Sequence, residues 1–268
     1  MDDDRPVLRA SRLAAIRDLL AGGEAVSTSE LTRRLGVSEA TVRRDLEALQ
    51  ASGVARRTHG GAVAVSRLVQ EPPLPQRSAA QVAEKRAIGE AAAALVRPGD
   101  TVFVGGGSTT LQLAGQLASL RLTVVTNSLP VAVELSHAPA VDVVVIGGTL
   151  RIPEMTMVGP RAVEAIRSYR ARLAFLGAPA LDVQHGLTAD GDAEAATDEA
   201  FLAMAQRAVV LADHTKLGQV STTFVAALAS IDTVITDDSA PDDVVRALRA
   251  SGPEVVVATH RTATKETP

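Results

Sequence analysis

The chain has 268 residues, 46% hydrophobic and 22% charged, enough for one or two ordinary globular domains of roughly 100–200 residues each. No apolar run approaches the ~18 residues of a membrane span, and the acidic opening Met1-Asp2-Asp3-Asp4 argues against a secretory signal. Zero cysteines exclude disulfides, a cysteine nucleophile and thiolate metal sites; five scattered histidines (His59, His137, His185, His214, His260) offer no pair at metal-ligand spacing. A cytoplasmic protein without metal or cofactor, and without a membrane partner, is therefore expected.

The net charge of −4 hides an asymmetry. Residues 5–67 hold 11 Arg against 6 acidic side chains, whereas residues 68–268 hold 16 basic and 22 acidic ones. A basic front on an acidic body directs the front alone toward a polyanion. Three of the 27 basic residues are Lys (Lys85, Lys216, Lys265), which singles out any interior Lys.

In chain order, Leu13, Ile16, Leu19 and Leu20 fall at helical spacing within 9–21, and Gly22-Gly23 ends that run. Ser27-Thr28-Ser29-Glu30 then has the form of a capping box opening a short second helix, which Gly36 breaks. Ser38 caps a third helix, where Val42, Leu46 and Leu49 share one face. This predicts a helix-turn-helix over about 26–45. Residues 54–58 and 62–65 are β-prone runs around His59-Gly60-Gly61 and predict a hairpin, so 9–65 reads as a winged helix-turn-helix domain.

The Pro-rich stretch Glu71-Pro72-Pro73-Leu74-Pro75 places a linker at 66–80. From 81 to 258 helical and Val/Ile-rich strand patterns alternate: helix 81–96, strand 101–104, helix 109–118 and strands 122–126 and 141–146. Strands 172–176, 208–212, 231–235 and 254–258 follow, with helices near 194–206 and 241–250. The alternation predicts an α/β domain around a mostly parallel sheet. Residues 259–268 form a polar tail.

With Val42, Leu46 and Leu49 facing a core, Ala40, Arg44 and Glu47 turn outward, flanked by Thr41 and Arg43. Such a surface can enter a major groove. Arg43 and Arg44 can fork onto guanine edges or phosphates, Thr41 can reach a phosphate or a thymine methyl, and Ser38 brings a helix amino terminus to a phosphate. Arg56, Arg57 and His59 on the hairpin would meet backbone or minor groove. Taken alone, two adjacent arginines are more often solvated charges paired with neighbours such as Asp45 or Glu47; their place on the exposed face of this motif favours DNA.

The order Arg12, Ile16, Leu20, Ser38, Thr41-Val42-Arg43-Arg44-Asp45-Leu46 and Arg57-Thr58-His59-Gly60-Gly61-Ala62 closely resembles the DeoR family of bacterial transcriptional regulators. The resemblance continues through Arg77, Glu84-Lys85-Arg86-Ala87-Ile88-Gly89, Gly107-Ser108-Thr109-Thr110, Thr126-Asn127-Ser128, Gly147-Gly148, Phe175-Leu176-Gly177-Ala178, Gly186-Leu187-Thr188, Asp213-His214-Thr215-Lys216 and Ile235-Thr236-Asp237. It implies a repressor of carbohydrate-metabolism genes that binds double-stranded operator DNA as a homodimer or homotetramer. It also implies a rear domain similar in fold to ribose-5-phosphate isomerase, sensing a small-molecule effector, most often a phosphorylated sugar.

The residues support an anion site on their own. Gly105-Gly106-Gly107-Ser108-Thr109-Thr110 follows a strand and opens a helix, so backbone amides, hydroxyls and the helix dipole converge. It lacks the Lys of a phosphate-binding Walker loop and the last glycine of a dinucleotide fingerprint, and a tight strand-to-helix turn is its plainer reading. Gly107, Ser108, Thr109 and Thr110 are expected to bind the effector, joined by Asn127 and Ser128 past the next strand. Lys216 offers a cation and Asp213 an acceptor for hydroxyls. Arg77 and Lys85 either touch the ligand or hold the linker. Two positions depart from the family pattern: Gly105 stands where Asp is usual, and Asp198 where Lys or Arg is. A different sugar phosphate, a less charged molecule or no effector remain open. An aldose–ketose isomerase using Asp190, Asp192 or Glu194, and a DNA-binding architectural protein, are the competing readings.

Overall fold

The computed structural model describes residues 12, 13, 15, 16, 19, 26–51, 55–58, 61–64 and 71–259. It divides into two compact units, Met1–Arg67 and Leu68–Pro268. Among the described residues no helix is long and apolar enough to cross a membrane.

In the front unit, Arg12, Leu13, Ala15, Ile16 and Leu19 have helical backbone; the remainder of the expected helix 9–21 lies outside the described residues. Strand β1 (Val26–Ser27) leads into helices α1 (Thr28–Leu35) and α2 (Glu39–Ala51), and then strands β2 (Ala55–Thr58) and β3 (Gly61–Ala64). Ser27 Oγ accepts the Glu30 N–H at 3.1 Å, but the Glu30 carboxylate turns to Arg34 at 2.8 Å, so only half of the expected capping box forms. The i,i+4 pairing wins because Arg34 offers a full charge where the Ser27 amide offers a single donor. Gly36 ends α1 with φ 65°.

Ile16, Leu31, Val42, Leu46 and Leu49 are at most 1% exposed and form this unit's core. Each contributes about 1.5–3 kcal/mol through burial. The three-stranded sheet has the order β1-β3-β2, with Val26 opposite Ala62 and Thr58 opposite Gly61. Gly61 thus belongs to the sheet, not to the turn expected at 59–61. A Cβ there would lie 2.1 Å from the Val26 carbonyl oxygen, so the approach of β1 requires glycine.

The rear unit contains α3 (Leu74–Ala79), α4 (Val82–Ala93), β4 (Thr101–Val104), α5 (Ser108–Leu117), β5 (Leu122–Thr126), α6 (Leu129–Leu135) and β6 (Val141–Val145). There follow β7 (Thr149–Arg151), β8 (Thr156–Val158), α7 (Pro160–Arg167), β9 (Ala171–Gly177), β10 (Ala180–Asp182), β11 (Gly186–Ala189) and α8 (Asp192–Met204). The unit ends with β12 (Ala205–Leu211), β13 (Thr223–Ala226), β14 (Thr233–Asp237), α9 (Asp242–Ala250) and β15 (Glu254–Ala258). Seven strands pair in parallel in the order β15-β14-β12-β9-β4-β5-β6. Side chains alternate across this sheet: Val102, Val104 and Phe175 pack with Ile88, Leu113 and Leu117 of α4 and α5. Phe103, Leu176 and Val210 face Ile166, Phe201 and Leu248 of α7, α8 and α9. The mostly parallel α/β architecture expected from the alternating pattern is present, covered on both faces. Antiparallel additions β7-β8 and β10-β11-β13 escaped the sequence reading because each strand is only three or four residues long.

The expected linker 66–80 requires correction from residue 71 on. Leu74 is 7% exposed and its N–H donates to Pro153 O at 3.1 Å; Glu71 N–H donates to Asp190 at 3.0 Å. Pro72 and Pro73 do not keep the chain free but deliver it into α3, where Pro75 occupies the first turn, a position that needs no N–H. Residues 66–70 and the tail from 260 lie outside the described residues.

Candidate functional site

On α2, Ser38 Oγ accepts the Thr41 N–H at 3.3 Å and lies 2.9 Å from Thr41 Oγ1, fixing the start of the helix. Arg43 and Arg44 are exposed, Arg44 opposite Val42 and Leu46 and Arg43 on the flank, as the helical period requires. Arg43 bonds Glu39 one turn back at 2.7 Å. Asp45, by contrast, is buried at 1% exposure and receives the Arg12 guanidinium at 2.5 Å, so it ties the first helical segment to α2 and is not the partner of Arg43 or Arg44. That bond holds the Arg12 guanidinium more firmly protonated than usual. The backbone of Arg56 and Arg57 runs in β2; their side chains, and His59, lie outside the described residues.

In the rear unit, strands that follow β4 in sequence add on one side of it through β5 and β6, while β9 adds on the other. The reversal leaves a crevice at the carboxyl ends of β4 and β9, the place where open α/β sheets bind ligands. A cleft of about 530 Å³, counted with its mouth, opens there. Its floor is Gly106, Gly107, Ser108 and Thr109 after β4 and Gly177, Ala178 and Pro179 after β9, with Asn127 from the end of β5. Gly107 (φ 133°) precedes α5, whose first-turn amides have no acceptor within the helix. A Cβ on Gly106 would lie 2.2 Å from Thr156 Cγ2, so glycine lets the β7-β8 ribbon close over the loop.

The charged walls come from distant segments. Glu71, Arg77, Glu154, Glu194, Asp198 and Lys216 all line the cleft. Lys216 Nζ donates to Glu71 Oε1 at 2.5 Å, and Arg77 bonds Glu71 Oε2 at 2.9 Å, the Pro72 carbonyl at 2.8 Å, and Glu154. Glu194 pairs with Arg151 of β7. Burial pushes the Glu194 carboxyl above the usual carboxylate range against the pull of Arg151, with Glu71 and Asp190 adding to the rise. Asp198, one turn along α8, is raised well above its ordinary value by burial and by the charge of Glu194.

Of the expected effector residues, Gly107, Ser108, Thr109, Asn127, Arg77 and Lys216 line the cleft. Thr110, Ser128, Lys85 and Asp213 stand behind it. Thr110 Oγ1 donates to Gly107 O at 3.0 Å, and Ser128 Oγ caps α6 by accepting the Val131 N–H at 3.4 Å. Lys85, 3% exposed, donates to the carbonyls of Arg77 (2.6 Å) and Ala80 (2.8 Å), with Asp213 at 3.8 Å. Burial lowers the Lys85 ammonium pKa, opposed by Asp213. Asp213 itself accepts the Thr215 N–H at 3.0 Å. Lys85 therefore holds the wall that carries Arg77.

Sequence reasoning missed Glu71, Glu154 and Thr156 as cleft residues. The one available signal was an acid set in an otherwise uncharged Pro-rich run. Gly105 does not line the cleft: a Cβ there would meet the tip of Leu176 at 2.8 Å. Asp190 and Asp192, offered for isomerase chemistry, do not line it either; Asp190 is bonded to Ser221 and the Glu71 amide.

The sequence matches the DeoR-like helix-turn-helix domain over residues 12–67 and the DeoR C terminal sensor domain over residues 80–238. It is 36% identical over 251 residues to the HTH-type transcriptional regulator GlpR of Haloferax volcanii, covering 93% of this chain and 98% of that one. It is 33% identical to the transcriptional repressor AccR of Agrobacterium fabrum, covering 84% and 88%, and 32% identical to the HTH-type transcriptional regulator GolR of Listeria innocua, covering 90% and 95%. Among solved structures, ribose 5-phosphate isomerase A of Methanocaldococcus jannaschii aligns with a TM-score of 0.38 at 19% identity, over 50% of this chain and about half (53%) of that one. With the winged front unit and the sensor unit both matched, the chain belongs to the DeoR family of DNA-binding transcriptional regulators.

Proposed function

We propose that the protein represses carbohydrate-metabolism genes and is released from its operator by a phosphorylated sugar bound in the rear cleft. α2 reads the major groove through Arg44 and Arg43, with Ser38 and Thr41 at the phosphates and Arg56, Arg57 and His59 of the hairpin on the flanking backbone. Paired half-sites one helical turn apart, or multiples of it, call for a homodimer or homotetramer. The observation that carries the sensing part is the position of the Gly106–Thr109 loop. It stands at the sheet's switch point, its helix amino terminus lining the same cleft as Arg77 and Lys216.

Ligand in the cleft favours one arrangement of the reading heads over another. A coupling of about 1–3 kcal/mol relieves repression roughly 5–150-fold. Glu71, three residues past the start of the rear unit, bonds Lys216 at the cleft and so links ligand contact to the chain leading from the front unit. The test is the melting temperature of the full chain against sugar phosphates and their unphosphorylated counterparts. A ligand at 100 times its dissociation constant adds about 2.7 kcal/mol. A shift confined to phosphorylated sugars supports the reading; a shift from free sugars alone, or from none of the panel, overturns it. A flexible Gly/Ser insertion after Arg67 is expected to preserve both binding activities and abolish their coupling.

A further inference from the structure

The cleft's walls are chemically unequal. One side offers donors, the amides and hydroxyls of Gly106–Thr109. The other offers acceptors. Four carboxyl groups (Glu71, Glu154, Glu194, Asp198) line the cleft against two cations, and both cations are already engaged: Lys216 with Glu71, Arg77 with Glu71 and Glu154. Glu194 has Arg151. Asp198, one turn along the same helix, makes no hydrogen bond or ion pair among the described residues.

A second observation points the same way. Asn127 Oδ1 and Thr156 Oγ1 are buried without a hydrogen-bond partner, on side chains that line this cleft and are only 3% and 4% exposed. Asn127 Nδ2 is committed to Met157 O at 3.0 Å, so what Asn127 leaves unmet is an acceptor. The orphaned Asn127 acceptor is costly and calls for a donor from the ligand, while the Thr156 hydroxyl can donate or accept. Among the described residues no three Asp, Glu or His side chains come together as a metal site would need, so the missing positive charge fits an organic cation better than a metal ion.

We propose that the effector is a sugar phosphate bearing a primary amine, its ammonium seated against Asp198 and Glu194 and its phosphate on the first-turn amides of α5. This rests on the sugar-phosphate reading above and narrows it. An ammonium has three donors and a full charge for these carboxyls, whereas an amine-free sugar phosphate brings more negative charge to walls already in acidic excess. Burial and the charge of Glu194 disfavour the charged form of Asp198 in the empty cleft, and a seated ammonium would favour it. The charged groups around this pair are Glu194 on the same helix, Arg151 on β7, Asp190 before α8, and Glu71 and Arg77 on the preceding segment.

The experiment is calorimetric titration of the full chain with hexosamine phosphates of the gluco, galacto and manno series, the matching hexose phosphates, and the unphosphorylated hexosamines. At least one amino sugar phosphate is expected to bind roughly tenfold or more tightly than its hydroxyl twin. D198N is expected to lose the preference. Equal affinity within every pair, or an unchanged preference in D198N, overturns the amine and leaves the sugar-phosphate reading standing. Binding of free hexosamines as tight as their phosphates overturns that reading, and no binding by any phosphorylated member overturns both. If D198N fails to fold, the amine-over-hydroxyl preference of the unaltered chain decides.

Discussion

On α2, Arg43 and Arg44 stand in solvent, backed by an apolar face that needs nothing from them. In the rear unit, Arg77 and Lys216 are shielded and matched by carboxylates that line the same cleft. The contrast follows from their partners. A DNA surface brings charge to an open face and exchanges it for released counterions, so the protein can leave its cations solvated. A small ligand must enter a place already excluded from water, where an unmatched charge is expensive, so the cleft's cations are held by carboxylates before any ligand enters. Affinity in the front unit is thus tunable one side chain at a time, while the rear cleft responds as a network.

The largest expected effect tests that network. Arg77→Ala strands Glu154, whose side chain is only 7% exposed, and leaves Glu71 with Lys216 alone; it is expected to cost the rear unit about 3–5 kcal/mol. Calorimetry should show a lowered rear transition beside an unchanged front one; an unaltered rear transition would mean that the cluster is solvated after all. Gly61→Ala is the mirror experiment. Its methyl meets the Val26 carbonyl, so the front unit is expected to lose roughly 3 kcal/mol and its DNA binding while the rear melts normally. Arg44→Ala should leave both transitions in place and cost about 1–3 kcal/mol of operator affinity, relaxing specificity at one position. A purely uniform loss across sequences, with a flatter salt dependence, would instead assign Arg44 to a phosphate.

The smallest effect is a slope. Asp198 has a folded-state pKa raised above the ordinary aspartate value of about 3.9. The folded chain therefore holds a proton that the unfolded chain has lost, and stability falls as pH rises through that window, by at most about 1.4 kcal/mol per pH unit. D198N is expected to flatten this fall. A denaturation series against pH checks it, and an identical slope in both proteins would show Asp198 to be solvated.

How much of this was legible depended on periodicity. Val42, Leu46 and Leu49 announce their shared face at helical spacing, so the outward face of α2 could be named residue by residue. The Gly105–Thr110 loop and Asn127 were legible because a parallel sheet puts its strand ends in one crevice, whatever the side chains. Glu71 and Glu154 obey no such rule. One lies in a Pro-rich run that reads as a spacer, the other in the short turn between β7 and β8. Their roles follow from contacts across 145 residues, as with Glu71 and Lys216, which no local pattern encodes. The same limit explains Lys85: its rarity in an Arg-rich chain marked it out, but only the structure shows it bonding carbonyls of its own neighbours.

The segment 71–79 has a practical consequence for anyone exchanging modules. The match to the family's sensor domain begins at residue 80. A chimera spliced there would appear to carry the whole receptor, yet it would arrive without Glu71 and Arg77, leaving Glu154 and Lys216 stripped of partners. A splice at Arg67 transplants the receptor intact. The boundary that serves for recognising this module in a sequence is therefore a poor place to cut it.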